Sequence, residues 1–131
     1  FSAGGQVGSI LMTAEQAAYQ RIDQVDQQPF RPDFAMLIYP WRIYDSKAEA
    51  LLPEIGVSKN TPPSFIVHTH DDASTSLGSV LLYAAMKRND VSAELHIYEN
   101  GGHGYGSRDR PNSNIGSWSD RAVDWLQRRL P

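Results

Sequence analysis

Three clusters in this 131-residue chain carry side chains able to attack a carbonyl or move a proton. The first is Ser2-Ala3-Gly4-Gly5, preceded by Phe1. Ser2, Ala3 and Gly4 fit the last three positions of G-x-S-x-G, a strained strand-to-helix turn that exposes a serine hydroxyl. The Ala3 N–H would then sit at a helix N-terminus, where it can point at a developing oxyanion. A plainer reading is a small-residue turn that only opens a helix. The second cluster is His68-Thr69-His70-Asp71-Asp72. A carboxylate just past a strand can orient an imidazole supplied from elsewhere, or it can cap the helix that follows. Asp72, able to turn back over the sheet, is the preferred acid, with Asp71 as its competitor. The third is Asn100-Gly101-Gly102-His103-Gly104-Tyr105-Gly106. Glycines on both sides let the His103 imidazole swing over a sheet edge. A base that titrates near neutral pH is what serine activation needs, although a solvated loop histidine is the simpler alternative. His96 alternates within a strand and is the weaker base.

A metal is the main rival at the second cluster. His68, His70 and Asp72 fit H-x-H-x-D, and imidazole with carboxylate suits zinc. The metallo-hydrolase form of that motif continues with histidine, where this chain has Ala73. His68 also closes an apolar strand, where a hydrogen-bonded core histidine is the commoner state. We expect no metal and no cofactor. Twelve Lys and Arg against 15 Asp and Glu give a net charge of -3, with the basic residues scattered, so no nucleic-acid partner is expected. Without cysteine there is neither a disulfide framework nor thiol chemistry. No apolar run approaches the roughly 20 residues of a membrane helix, so no membrane partner is expected either. The first residues do not read as a signal peptide, and the absence of an initiator Met makes a natural start at Phe1 unexpected. Location is left open.

The elements that must position these clusters can be placed in outline. Gln6 to about Gln20 favours a helix, with Val7, Ile10, Leu11 and Ala14 at helical spacing. Gln24 to Asp33 reads as a loop. Phe34 to Tyr39 is a continuous apolar run stopped by Pro40, as in a strand buried on both faces. Trp41 to Asn60 is irregular, with a helical turn or two around Ser46 to Leu52. A second buried strand, Ser64 to His68, follows Pro62-Pro63. A helix is expected from about Ser76 to Arg88, with Leu77, Leu81, Ala84 and Ala85 on one face. Ala93 to Tyr98 alternates as a third strand. After the Gly-rich loop, a last helix runs from about Ser117 to Leu130, with Trp118, Ala122, Trp125 and Leu126 inward. Strands alternating with helices predict a parallel sheet in a single α/β domain. Ligands bind such sheets beyond the carboxyl ends of the strands, and that rule selects Ser2 to Gly5, His68 to Thr75 and Asn100 to Gly106, where the three clusters lie. Ser2, Asp72 and His103 run nucleophile, acid, base, which is the α/β-hydrolase chain order.

At these residues the chain resembles a known family. Phe1 to Gly5, Pro62 to His68 through Asp72, Ala93 to Tyr98, Gly101 to Gly106, Trp118 and Asp124-Trp125-Leu126 resemble the C-terminal half of α/β-hydrolase-fold serine esterases. The likeness is to the acetyl-xylan and feruloyl esterase group, and it covers nearly everything outside Trp41 to Asn60. It implies a three-layer fold, with Ser2 as nucleophile, Asp72 as acid, His103 as base and the Ala3 N–H as one oxyanion donor. It further implies hydrolysis of a small ester or an acylated carbohydrate without a cofactor. Such a triad also serves prolyl-oligopeptidase-like peptidases, and a non-catalytic α/β module is the alternative from another class. Thr69 stands where the family usually has glycine, and Ala73-Ser74-Thr75 replaces a Pro-rich hydrophobic turn. The strands that precede the serine in the family are missing. Residues 1–131 are therefore expected to be part of one catalytic domain, whose other half is lost, cleaved or supplied by another chain.

Overall fold

The computed structural model describes residues 1–130. Its central element is β4 (Ser64–Thr69), whose six residues are all buried. It pairs in parallel with β1 (Ala35–Ile38) on one side and β5 (Ala93–Tyr98) on the other, giving the order β1-β4-β5 among the described residues. Alternation along β4 divides its side chains between two layers. Phe65 and Val67 join Tyr105, Ile115, Trp118, Ala122 and Trp125 on the face covered by α3 (Trp118–Gln127). Ile66 joins Met12, Leu82 and Met86 on the face covered by α1 (Ser2–Thr13) and α2 (Leu77–Arg88). The sequence-based expectation of an α/β fold with a parallel sheet between helical layers holds. No helix among the described residues is long and apolar enough to cross a membrane.

Several local expectations are corrected. The first helix begins at Ser2 and stops at Thr13 instead of reaching Gln20. The Thr13 hydroxyl bonds back to the Ser9 carbonyl, and Arg31 captures the Ala14 carbonyl through both Nε and a terminal nitrogen. Ala14 is already extended, so the helix cannot continue. The inward face of α1 is Gly5, Ser9, Met12 and Thr13, while Val7 and Leu11 stand exposed. Small residues win that face because the helix lies so close to the sheet. A Cβ on Gly5 would stand 2.7 Å from the Pro40 Cα. In α2 the buried set is Gly78, Ser79, Leu82 and Met86, with Leu77 exposed. Between Ser46 and Leu52 there is no helical turn. Tyr44–Asp45 (β2) and Ala50–Leu51 (β3) form an antiparallel hairpin instead. The Asp45 carboxylate accepts the Lys47 and Ala48 N–H groups, a local bond that favours chain reversal over a helix.

Candidate active site

The ends of α1, β1 and β4 meet the Gly-rich loop at one rim of the sheet. Ser2 takes φ +47, a left-handed value that few non-glycine residues adopt. Two contacts hold it there. The Trp41 N–H donates to the Ser2 carbonyl at 2.9 Å. The Phe1 ring packs edge-on against Tyr39 and Trp118. The strain aims the Ser2 hydroxyl at His103, with Oγ 2.8 Å from Nε2. The close backbone approach in this turn is at Gly5 and not at Gly4, since nothing lies within 4 Å of a Cβ built on Gly4. Ala3 follows in the first turn of α1, where backbone N–H groups lack intrahelical partners.

His103 sits between Gly102 (φ +64) and Gly104 (φ +72). The bend turns its ring between the edges of Tyr39 and Trp41, with centroids 4.9 and 4.7 Å away. Its other nitrogen, Nδ1, lies 2.6 Å from Asp72 Oδ2. An ionised carboxylate only accepts, so Nδ1 carries the proton and Nε2 is left to accept from Ser2. The Asp72 side chain is fully buried. The Ser74 N–H donates to its Oδ1 at 2.7 Å. Ser74 Oγ accepts from the Arg42 N–H, which ties the acid's turn to the bend after β1.

The two neighbouring aspartates have different tasks. Asp71 does not face His103. Its carboxylate accepts the N–H groups of Gly101 and Gly102, at 3.2 and 2.9 Å, from the exposed side of the loop. Those bonds, the Gly102 one foremost, lower its pKa. Thr69, which departs from the family pattern, donates its hydroxyl to the Gly102 carbonyl at 2.8 Å. The departure thus supplies a second anchor for the loop. The H-x-H-x-D triplet does not converge. His70 is exposed, while both ring nitrogens of buried His68 are engaged, Nδ1 by Ser79 and Nε2 by Asp72. Among the described residues no group of three or more His, Cys, Asp or Glu is placed to hold a metal. His96 bonds to Glu94 away from the rim.

Sequence reasoning missed the parts played by Tyr39, Ser74 and Ser79. Of these, only Ser74, in the turn that follows β4, stood at a strand end that the topology favours. Trp41 also touches the site, through the His103 ring. Tyr105 is a fully buried core residue, and burial raises the pKa of its phenol.

A parallel sheet between helical layers, with a strained serine, an imidazole and a buried carboxylate in line at the strand ends, defines an α/β hydrolase. The prolyl oligopeptidase family model matches residues 22–131, and the chain belongs to that family. Among solved structures, the chain is similar to an acetyl ester-xyloside bifunctional hydrolase from Caldicellulosiruptor lactoaceticus. The TM-score is 0.80 at 30% identity, over 97% of this chain and 54% of that one. The α/β hydrolase MGS-M1 from a Medee basin deep-sea metagenome library gives 0.74 at 22% identity, over 98% and 51%. The carboxylesterase Cest-2923 from Lactobacillus plantarum WCFS1 gives 0.66 at 21%, over 98% and 56%. The last two likenesses are of fold. This chain spans about half the length of these structures. No curated protein sequence matches it.

Proposed function

We propose that this chain carries the nucleophile, acid and base of a serine carboxylic ester hydrolase. The carrying observation is the unbroken line from Ser2 Oγ through His103 to Asp72, at 2.8 and 2.6 Å. His103 Nε2 takes the Ser2 proton as Oγ attacks the ester carbonyl. The tetrahedral oxyanion is met by the Ala3 N–H, aided by the positive end of α1. As the C–O bond breaks, His103 returns the proton to the leaving alcohol, and an acyl-Ser2 remains. Water, deprotonated by the same imidazole, releases the acid and restores Ser2. Asp72 holds the tautomer and balances the imidazolium that forms.

The substrate we propose is a small ester on plant polysaccharide, an acetyl or feruloyl group on xylan. Its support is the likeness to the acetyl ester-xyloside hydrolase at 30% identity. The similar solved structures are hydrolases and esterases, and a peptidase is not favoured. We further propose that the rest of the catalytic domain docks beside β1. That strand, Ala-Met-Leu-Ile, is an edge of the described sheet with no charge or proline to protect it. The Trp41–Ser2 bond leads any chain before Phe1 alongside it. A second oxyanion donor would come from that half.

A fluorophosphonate probe reacts only with an activated serine. In the complete protein it should label Ser2. Ser2→Ala should abolish labelling and lower kcat on acetyl esters by about 10⁴ to 10⁶. An unlabelled Ser2, or near-full esterase activity in Ser2→Ala, would refute this function.

A further inference from the structure

Asp72 Oδ2 is shared by two imidazoles. One is His103, at the surface. The other is His68, whose Nε2 lies 3.0 Å from the same oxygen and whose side chain is fully buried. The acceptor-only carboxylate requires His68 Nε2 to carry a proton. His68 Nδ1 lies 2.8 Å from Ser79 Oγ on α2, a partner that fixes the ring's second nitrogen and its orientation. Burial, the largest cause, lowers the pKa of His68. The titratable groups facing it are Asp72 and His103. On the neighbouring elements α2 presents Ser79 and β5 places Ile97 opposite, and neither ionises.

We propose that His68, clamped by Ser79, is a positioning residue that keeps a permanent donor on Asp72. The proposal rests on the triad reading above. A carboxylate with no solvent contact needs every oxygen met. Ser74 meets Oδ1, and without His68 the inner side of Oδ2 would have no donor. Asp72 would then lean its whole charge on His103, overstabilise the imidazolium and make a poorer proton shuttle. With His68 in place the charge is divided, and the carboxylate cannot swing toward the interior when His103 changes state.

The test is made in the complete protein, after probe labelling of Ser2 has established the triad. His68→Leu should lower kcat about 10- to 100-fold at nearly constant KM, the scale known for outer partners of metal-binding histidines. It should also move the acid limb of the kcat/KM profile to higher pH by about one unit. His68→Gln keeps an N–H donor near the Nε2 position and should restore most of the rate and the limb. Ser79→Ala should move the limb the same way by less. A merely structural role would lower the amplitude or the stability and leave the limb where it was. An unmoved limb in His68→Leu overturns the proposal while leaving the triad intact. Should that variant not fold, an unmoved limb in Ser79→Ala does the same. An unlabelled Ser2 in the unmutated protein brings down both readings.

Discussion

The rim of the sheet and the outer flank of α1 are finished to different degrees. At the rim, Asp72 is met by Ser74, His68 and His103, and the loop bearing His103 is tied by Asp71 and Thr69. On the flank, Val7, Leu11, Tyr19, Ile22 and Val25 are between 45% and 86% exposed. There Val7, Ile10, Leu11, Ala14 and Phe30 line an apolar groove of about 310 Å³. Hydrogen bonds are short and directional, so a few nearby residues can complete them. Burying apolar surface takes area, and area takes another layer of protein. The hydrogen-bonded line from Ser2 to Asp72 closes within this chain, whereas the apolar flank of α1 does not.

The largest effect tests the rim by exchanging its two adjacent carboxylates. Asp72→Ala removes the acceptor that fixes the His103 tautomer and should lower kcat by about 10⁴. Asp71→Ala loses only the two N–H bonds that hold the loop, so a fall of about tenfold is expected from mispositioning. Initial rates on an aryl acetate measure both. Equal losses would mean that the two side chains share one task, against the division drawn here.

The next effect lies where the two regions join. Gly5→Ala places a methyl against the Pro40 backbone, and neither side is a flexible tip. Overpacking of this kind costs about 1 to 3 kcal/mol. Because α1 carries Ser2 at its first residue, the shift should also draw Oγ from His103 and reduce kcat. Gly8→Ala is the matched control. Its Cβ would meet only the Leu37 Cδ2, at 3.4 Å, and Ala gains up to about 1 kcal/mol over Gly within a helix. Denaturant midpoints of the two variants should therefore move in opposite directions. A Gly5→Ala variant as stable as Gly8→Ala would mean that α1 is free to slide on the sheet.

The strands were legible because the runs Phe34 to Tyr39 and Ser64 to His68 are apolar, short and ended by proline or polar clusters. β5 matched residue for residue, at Ala93–Tyr98. The rim followed from topology: strand ends in an α/β sheet are few, and Ser2, the Asp pair and His103 occupied them. The choice between Asp71 and Asp72 was not decidable from the sequence, since it turns on which side chain points inward across a two-residue turn. The inner faces of α1 and α2 were misread for a related reason. Hydrophobic periodicity marks the faces that need cover. A helix packed closely turns small residues inward instead: Gly5 against Pro40, Gly78 against Ile43 and Tyr44, and Ser79 toward His68 of β4. The Ser46 to Leu52 reversal was lost because the Asp45 side chain, not the apolar pattern, directs it.

The smallest effect probes the flank itself. Leu11 is 45% exposed on the outer face of α1. In the 131-residue chain, Leu11→Ser should change stability by less than about 0.5 kcal/mol, as exposed substitutions do. In the complete protein, once further chain covers this face, the same change should cost about 1 to 3 kcal/mol, because a covered leucine is then lost. Thermal unfolding of both lengths, each with and without the substitution, measures the difference. The contrast between lengths carries the argument, since helix propensity changes equally in both. Equal costs would leave α1's outer face in water in the complete protein too, and the missing layer would then have to be sought along β1 alone.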